Sequence, residues 1–241
     1  MNVAKQSVTL LDHCGSDLSV VNAARVSFHK ESTWDLCAPS GDNLDQEFMH
    51  FWVNEKANRR KLSEKDEKLI KFLAQHNHKS PFNHCFMSFR VKAPIFVARQ
   101  LVKHEYLPWN EVSRRYVDEE PEFFIPTYWR KKADNVKQGS SDESIATPET
   151  AYNAHFVDMC LKHYMKLLAD GICAEQARMV LPQNTMTEWI WSGTLFAFAK
   201  MCNLRLDSHT QKETQEVAQM IDREARKLFP VSWKVLVGET K

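Results

Sequence analysis

Glycine is scarce in this sequence, and the few glycines are scattered. The 241 residues include six, at positions 15, 41, 139, 171, 193 and 238. No two of them lie close together, so neither a Gly-x-Gly-x-x-Gly fingerprint nor a Walker loop can be formed. If this protein binds phosphate groups, it must hold them with side chains and helix ends.

Paired cysteines are absent as well. The six cysteines stand at positions 14, 37, 85, 160, 173 and 202, and none of them forms a Cys-x-x-Cys pair. This spacing argues against a zinc ribbon and against a redox dithiol. We expect reduced and mostly buried cysteines.

Long apolar runs and a charge excess are also missing. The longest apolar run, PIFVARQLV at residues 94–102, contains an arginine and a glutamine and is far shorter than the ~20 residues that span a bilayer. The N-terminal sequence MNVAKQSVTLLDHCGS lacks the apolar core of a signal peptide. The formal net charge is +1, which implies no general affinity for nucleic acid or membranes. We therefore expect a cytoplasmic protein with neither kind of partner.

Helix and strand patterns are clear in the first half of the chain. Residues 17–28 predict a helix whose apolar residues, including Val26, face inward. A second helix is predicted after Ser63, which forms a capping-box pattern with Asp66. Residues 84–93 alternate, with the apolar side chains at odd positions on one face, and this alternation predicts a strand.

The second half predicts mainly helices. Pro94 can begin a helix that runs to about His104, and Thr147 followed by Pro148 forms a helix start. Three more helices are predicted, at 174–181, 187–204 and 208–229. Because strands and helices do not alternate as in a parallel sheet, the sequence predicts a helix-rich α+β fold with a small antiparallel sheet.

One domain can account for residues 1–241, because a chain of this length with 43% hydrophobic residues can bury one sizeable core. Two segments are predicted to be irregular insertions, around residues 30–62 and 131–147. The second of these is polar and without periodicity, which is typical of a mobile surface loop.

Three histidines, His76, His78 and His84, fall within nine residues. The pattern raises the possibility of zinc, but no cysteine or carboxylate stands at ligand spacing. We expect no metal site, and interpret one or two of these histidines as lining a cleft where a helix meets a strand.

The sequence KHEYLPWNEVSRRYV at residues 103–117 is crowded with polar groups directly after the apolar run. Gln100, Lys103 and His104 would share one face at the end of the preceding helix. In an extended segment after Pro108, three side chains would point one way, namely Glu111, Ser113 and Arg115. Together they could hold a sugar hydroxyl and a phosphate. The alternative is a solvated edge strand with salt bridges.

Two arginines stand among apolar neighbours, Arg178 in AEQARMVL and Arg205 in MCNLRLDSH. A guanidinium in an apolar setting is costly unless it meets an anion. An anionic ligand and a structural ion pair are both open readings for each arginine.

These residues resemble the flavin-dependent thymidylate synthases. The pattern in that family is Arg-His-Arg, seven residues, a serine, and shortly afterwards Arg-Tyr. Here it reads Lys103-His104-Glu105, seven residues, Ser113, and then Arg115-Tyr116. The segments AARVSF, HNHKSPFNHCFMSF, KAPIFVARQ, ARMVLP and LRLDSHTQKE also resemble family segments in the same order, so the likeness covers residues 23–213.

The resemblance implies dUMP and methylenetetrahydrofolate as substrates, FAD as the hydride carrier, and NADPH as the reductant. It also implies a homotetramer whose active sites are shared between subunits. The residues that it assigns to dUMP are Gln100, Glu111, Ser113, Arg114, Arg115, Arg178 and Arg205. Its candidates for catalysis are Arg205, Ser113 and His78.

The residues that the resemblance assigns to FAD and folate include several departures from the family pattern. They are Ser27, His78, Ser80, Lys103, His104, Glu105, Tyr116, Thr194 and Lys200. Lys103 and Glu105 replace the two arginines of Arg-His-Arg, and Thr194, Phe196 and Lys200 replace flavin-facing residues. The sequence therefore predicts weaker FAD binding than in relatives with Arg-His-Arg.

Three functions remain open, of which the first follows from the resemblance and the second from the chemistry of one-carbon transfer without a hydride source. The first is reductive methylation of dUMP at C5 to give dTMP, with Arg205 stabilising negative charge on the ring. The second, without flavin, is hydroxymethyl transfer to C5 of dUMP or dCMP. The third is a catalytically inactive nucleotide-binding homologue.

Overall fold

The computed structural model describes residues 1–36, 60–134 and 139–239. They form a helix-rich α+β fold with small antiparallel sheets, so the predicted fold class is confirmed. Residues 37–59 of the first predicted irregular segment lie outside the described residues.

The helices of the described residues pack mainly on one sheet and on one another. They span Asp17–Arg25 (α1), Glu64–Gln75 (α2), Ile95–Leu101 (α3), Pro148–Ala169 (α4), Ala174–Ala177 (α5), Leu195–Arg205 (α6), Lys212–Leu228 (α7) and Pro230–Val237 (α8). The strands are Asn2–Val3 (β1), Ser7–Cys14 (β2), Asp35–Leu36 (β3), Arg60–Lys61 (β4), Phe86–Pro94 (β5), Trp109–Glu111 (β6), Glu122–Phe123 (β7), Trp129–Lys132 (β8), Ser140–Ile145 (β9) and Met186–Thr194 (β10).

The main sheet has four antiparallel strands in the order β2, β5, β10, β6. In its register Trp189 of β10 stands opposite Val91 of β5 on one side and Glu111 of β6 on the other. The predicted strand at 84–93 is confirmed as β5, whose side chains at 87, 89 and 91 are fully buried. Helices from both halves of the chain pack against this sheet to form the larger apolar core.

The prediction of one helix over 187–204 is wrong in its first half. Met186–Thr194 is a strand, in which every second residue from Trp189 to Gly193 is buried and the residues between them are half-buried. Gly193 also allows a close approach, since a Cβ there would lie 2.3 Å from Cδ2 of Leu107. The helix starts only at Leu195, where Thr194 accepts a hydrogen bond from the backbone of Ala197.

Two predicted helix starts are confirmed. Ser63 accepts a hydrogen bond from the backbone N–H of Asp66 at the start of α2. Thr147 caps α4 with Pro148 in its first turn. Gly171, with φ of +85°, follows the end of α4 in the left-handed conformation that glycine adopts without strain.

The second predicted irregular segment contains regular structure. Strands β8 and β9 pair antiparallel, with Trp129 opposite Ile145. The side chain of Arg130 fixes this hairpin, since its Nε donates to Ser140 at 2.7 Å and its Nη2 donates to both carboxylate oxygens of Glu213 at 2.9 Å. Pattern analysis missed the strands because pairing and one buried ion pair, rather than apolar alternation, hold them.

Two smaller features complete the fold. Val26, predicted to face inward, is 67% exposed, because α1 ends at Arg25 and a 3-10 turn redirects Val26–Phe28. A second apolar cluster packs α4 against β7 and the α5 region. None of the helices among the described residues has the length and hydropathy that a membrane crossing requires.

Candidate active site

Arg205 is held at the end of α6 by two residues that follow β5 in the chain. Its Nε donates to Nε2 of His104 at 2.9 Å, and its Nη2 donates to the backbone carbonyl of Gln100 at 2.8 Å. Helices α3 and α6 begin at opposite ends of the paired strands β5 and β10. The 11 residues of α6 extend about 16 Å, which carries Arg205 back toward the end of α3.

The contact with Arg205 fixes the charge state of His104. A guanidinium can only donate, so Nε2 of His104 must be unprotonated and accept. Burial, together with the positive charges of Arg205 and Lys200, lowers the pKa of His104 from 6.5 to about 4. His104 is therefore neutral at physiological pH. Burial also lowers the pKa of Arg205, which remains the charged partner.

Arg205 and Gln100 line a cavity of about 680 Å³. Its other walls come from the β8–β9 hairpin and from the segment between α6 and α7, with Arg130, Ser140, Asp207, His209 and Gln211 among the lining residues. A half-buried cation beside amide and hydroxyl groups suits a polar, anionic or electron-rich ligand.

The side chain of Gln100 is fixed by two residues that sequence reasoning did not select. Its Nε2 donates to Oε1 of Gln211 at 2.6 Å, and its Oε1 accepts from the hydroxyl of Thr214 at 3.2 Å. Gln211 and Thr214 lie at the start of α7, where the sequence predicted a helix and, as far as Glu213, a segment that resembles the family, but no role for either residue.

Other predicted nucleotide-binding residues line a different cavity, of about 540 Å³. Glu111, Arg114 and Arg178 are among its walls. Glu111 accepts from Thr187 at 2.6 Å across the sheet and from Nε1 of Trp109 at 3.0 Å. Arg178 is exposed on a 3-10 turn and donates to the carbonyl of Glu175 at 3.3 Å, so the expected apolar burial of this arginine is wrong.

The extended conformation predicted for residues 110–116 holds only as far as Glu111. Strand β6 ends there, and a turn follows in which the N–H of Tyr116 donates to the carbonyl of Ser113 at 3.0 Å. Ser113 and Arg115 still come together, because Nε of Arg115 lies 3.4 Å from the serine hydroxyl. The guanidinium of Arg115 stacks over the ring of Tyr116, which is 78% exposed.

On the surface predicted to bind the FAD diphosphate, the negative charge of Glu105 is paired with a lysine. Glu105 pairs with Lys200 at 3.7 Å, and both side chains are exposed. Lys103, two residues before Glu105 in the chain, is exposed. The ammonium group of Lys79 lies 5.6 Å from the centre of the Phe196 ring. Phe196 and Lys200 are one helical turn apart on α6, so Lys79 and Lys200 lie on one face of that helix and offer lysine ammonium groups, not arginine forks, to an anionic diphosphate.

Of the remaining predicted cofactor residues, Ser27, His78 and Ser80 are exposed near short turns, whereas Thr194 is half-buried at the end of β10. Ser27 lies in the 3-10 turn after α1, and Ser80 starts a 3-10 turn before β5. His78 follows α2, with its ring 5.9 Å from that of Phe72. Thr194 donates to Oδ1 of Asn83 at 2.8 Å. Within the described ranges no cluster of three histidine, cysteine or acidic side chains could hold a metal ion.

Comparison with known proteins gives the family. Residues 9–231 match the family model described as Thymidylate synthase complementing protein. The flavin-dependent thymidylate synthase of Thermotoga neapolitana is 35% identical over 233 residues, covering 97% of this chain and 91% of that protein. The chain belongs to the flavin-dependent thymidylate synthase family. A second flavin-dependent thymidylate synthase, from Thermosipho africanus, is 34% identical over 89% of this chain and 83% of its own length.

Solved structures related to this thymidylate synthase family share the fold. The UMP/dUMP methylase PolB from Streptomyces cacaoi, bound with 5-Br dUMP, superposes with a TM-score of 0.75 at 28% identity. The match covers 97% of this chain and 95% of that one. The same methylase bound with 5-Br UMP also gives a TM-score of 0.75, at 25% identity.

The residues predicted to bind the nucleotide thus divide between two cavities of the described part of the chain. Gln100 and Arg205 line the first, while Glu111, Arg114 and Arg178 line the second. Neither of these two cavities combines Arg205 with Arg178, the exposed arginine predicted to bind the sugar or phosphate.

Proposed function

We propose that this protein methylates dUMP at C5 to form dTMP. The one-carbon unit comes from methylenetetrahydrofolate, and the reducing equivalents come from NADPH through FAD. The observation that carries the proposal is the guanidinium of Arg205, fixed by neutral His104 and by the carbonyl of Gln100 at the wall of a cavity.

Arg205 supplies electrostatic stabilisation. C5 of uracil is nucleophilic because the N1 lone pair conjugates through the C5–C6 double bond to the C4 carbonyl, which places partial positive charge on N1 and partial negative charge on C5 and on the carbonyl oxygen. A half-buried guanidinium stabilises that negative charge more strongly than water does, because its donors are already oriented and its surroundings have a low dielectric constant. His104 and Gln100 together hold the guanidinium in place.

The sugar and phosphate are held by the second group of residues. Arg115 and Arg178 are exposed guanidinium groups that can each form paired hydrogen bonds with a phosphate. Glu111 and Ser113 offer an acceptor and a hydroxyl to the sugar. Arg114, which donates to the carbonyl of Glu119 at 2.5 Å, stabilises the loop that carries them.

FAD is proposed to lie against the lysine-rich surface, with its diphosphate near Lys103 and Lys200. When bound and reduced, the cofactor supplies the hydride that completes the methyl group. His78, Ser27 and Ser80 lie on exposed turns where they are available to the flavin or the folate. Thr194 is held by Asn83 and so presents a fixed side chain at the start of α6.

We further propose a homotetramer with shared active sites. The division of the nucleotide residues between two cavities supports this assembly, since a neighbouring subunit can bring Arg178 to the Arg205 cavity. Pyrimidine nucleotides and folate are cytoplasmic metabolites, and we propose that location for the reaction.

The direct test is a mass-spectrometric product assay. The purified protein is incubated with dUMP or dCMP and methylenetetrahydrofolate, with and without FAD and NADPH. We expect dTMP from dUMP only when FAD and NADPH are both present. A 5-hydroxymethyl product formed without flavin, or no product from either nucleotide, would overturn the proposal; the described contacts favour neither outcome.

A further inference from the structure

We propose that Gln211 and Thr214 are positioning residues that fix the side chain of Gln100 for nucleotide binding. This inference rests on the proposed function and on the family resemblance, which assigns Gln100 to dUMP. Both residues belong to the start of α7, a helix that the motif comparison does not place in the site.

The contacts fix both ends of the Gln100 amide. Gln211 accepts from its nitrogen at 2.6 Å, and the hydroxyl of Thr214 donates to its oxygen at 3.2 Å. The same nitrogen lies 3.4 Å from the carbonyl of Phe96, one turn earlier in α3. Thr214 is fully buried, so if Gln100 moves away the threonine hydroxyl cannot form a replacement hydrogen bond with bulk water.

Fixing this side chain matters because a glutamine has several rotatable bonds. A free Gln100 would lose roughly 1.5–2 kcal/mol of rotamer entropy when it binds a ligand. Because Gln211 and Thr214 hold the amide, it is already ordered before the ligand binds, and the rotamer entropy of Gln100 is lost during folding instead. The effect also reaches Arg205, because the backbone carbonyl of the same Gln100 accepts from its guanidinium.

The start of α7 is itself rigid. Glu213, between the two positioning residues, is buried and forms the two hydrogen bonds with Arg130 of β8. Its backbone carbonyl accepts from Gln6 at 3.1 Å, and the side chain of Gln215 donates to the carbonyl of Asp207 at 2.5 Å. This turn is therefore tied to the hairpin, the N-terminal segment and the loop after α6.

The test measures dUMP affinity by titration calorimetry on the full-length protein. Thr214→Val keeps the volume but removes the donor, and we expect the Kd for dUMP to rise about fivefold, the loss of one hydrogen bond. Thr214→Ser keeps the hydroxyl and should restore most of the affinity. Gln211→Leu should weaken binding similarly, whereas Gln219→Leu, the same change at an exposed position of α7, should not.

A double-mutant cycle shows whether Thr214 acts through Gln100. In the background of Gln100→Ala, Thr214→Val should have no further effect on the Kd. Unchanged affinity in Thr214→Val, equal weakening by Thr214→Ser, or full additivity in the cycle would each overturn the inference while leaving the proposed function intact. Failure of the unmodified protein to bind dUMP would overturn both.

Discussion

The Nε–H of Arg205 donates to an unprotonated Nε2 of His104 across 2.9 Å, although 101 residues separate the two in the chain. Motif comparison placed His104 with the cofactor and Arg205 with the substrate. In the structure His104 faces the guanidinium, and its neutral form is the one that can accept this hydrogen bond. His104 therefore determines how the proposed catalytic cation is oriented.

Loss of the acceptor at residue 104 should lower kcat. His104→Leu leaves the Nε–H of Arg205 without a partner, and we expect kcat to fall roughly 10- to 100-fold, as for a hydrogen bond to a charged group. His104→Gln retains an acceptor at a similar reach and should recover much of the rate. If both variants lose the same activity, His104 acts on the cofactor rather than through Arg205.

The low pKa of His104 predicts a pH-dependent stability. The unfolded imidazole has a pKa of 6.5, and the folded one about 4. Between these values the unfolded chain binds a proton that the native chain does not, so the free energy of unfolding rises with pH and falls on acidification. Denaturant unfolding at several pH values should show this slope, and the slope should flatten in His104→Gln. Equal slopes for the two proteins would contradict the assignment of His104 as buried and neutral.

Replacing Arg178 and replacing Arg205 should change different kinetic constants. Arg178→Ala removes an exposed guanidinium that we propose contacts phosphate or sugar, and it should mainly raise KM. Arg205→Ala removes a donor to developing ring charge and should lower kcat. Each loss should be roughly 2–4 kcal/mol in kcat/KM. Steady-state kinetics separate the two, and an effect of both on KM alone would remove Arg205 from its proposed role.

Mixed oligomers test whether active sites are shared. Arg178→Ala and Arg205→Ala subunits, unfolded together and refolded, should regain part of the activity that each lacks alone, because some sites then combine an intact Arg178 with an intact Arg205. Light scattering should give the mass of a tetramer. A fully active monomer, or no recovery in mixtures that form tetramers, would contradict shared sites.

Glu105→Arg should strengthen FAD binding. The change removes a negative charge and adds a guanidinium fork beside the predicted diphosphate, although it also ends the pair with Lys200. Because Glu105 is exposed, we expect an effect of about two- to fivefold on the Kd, largest at low salt.

Flavin fluorescence titration of Glu105→Arg measures that effect. The matched control is Glu64→Arg, the same charge reversal at an exposed position of α2, which should leave FAD affinity unchanged. Unchanged or weaker FAD binding in Glu105→Arg would mean that residues 103–105 are not placed as the family motif implies.

The sequence by itself determined the features that depend on neighbours in the chain. The caps at Ser63 and Thr147 and the alternation in β5 are local patterns, and the structure confirms each of them. The helix predicted at 187–204 shows the limit of such patterns. In the sequence Trp189, Ile190 and Trp191 are all apolar, so the alternating burial of this strand appears only when β10 is paired with β5 and β6.

Only the tertiary structure decided how the site is built. It placed His104 against Arg205, Gln211 and Thr214 against Gln100, and Glu105 against Lys200. Each of these contacts joins residues 95 or more positions apart, and no periodicity or spacing encodes a partner at that distance. The contacts exist because antiparallel strands and the returning helix α6 bring the ends of α3, α6 and the start of α7 to one place, where buried polar groups must find partners.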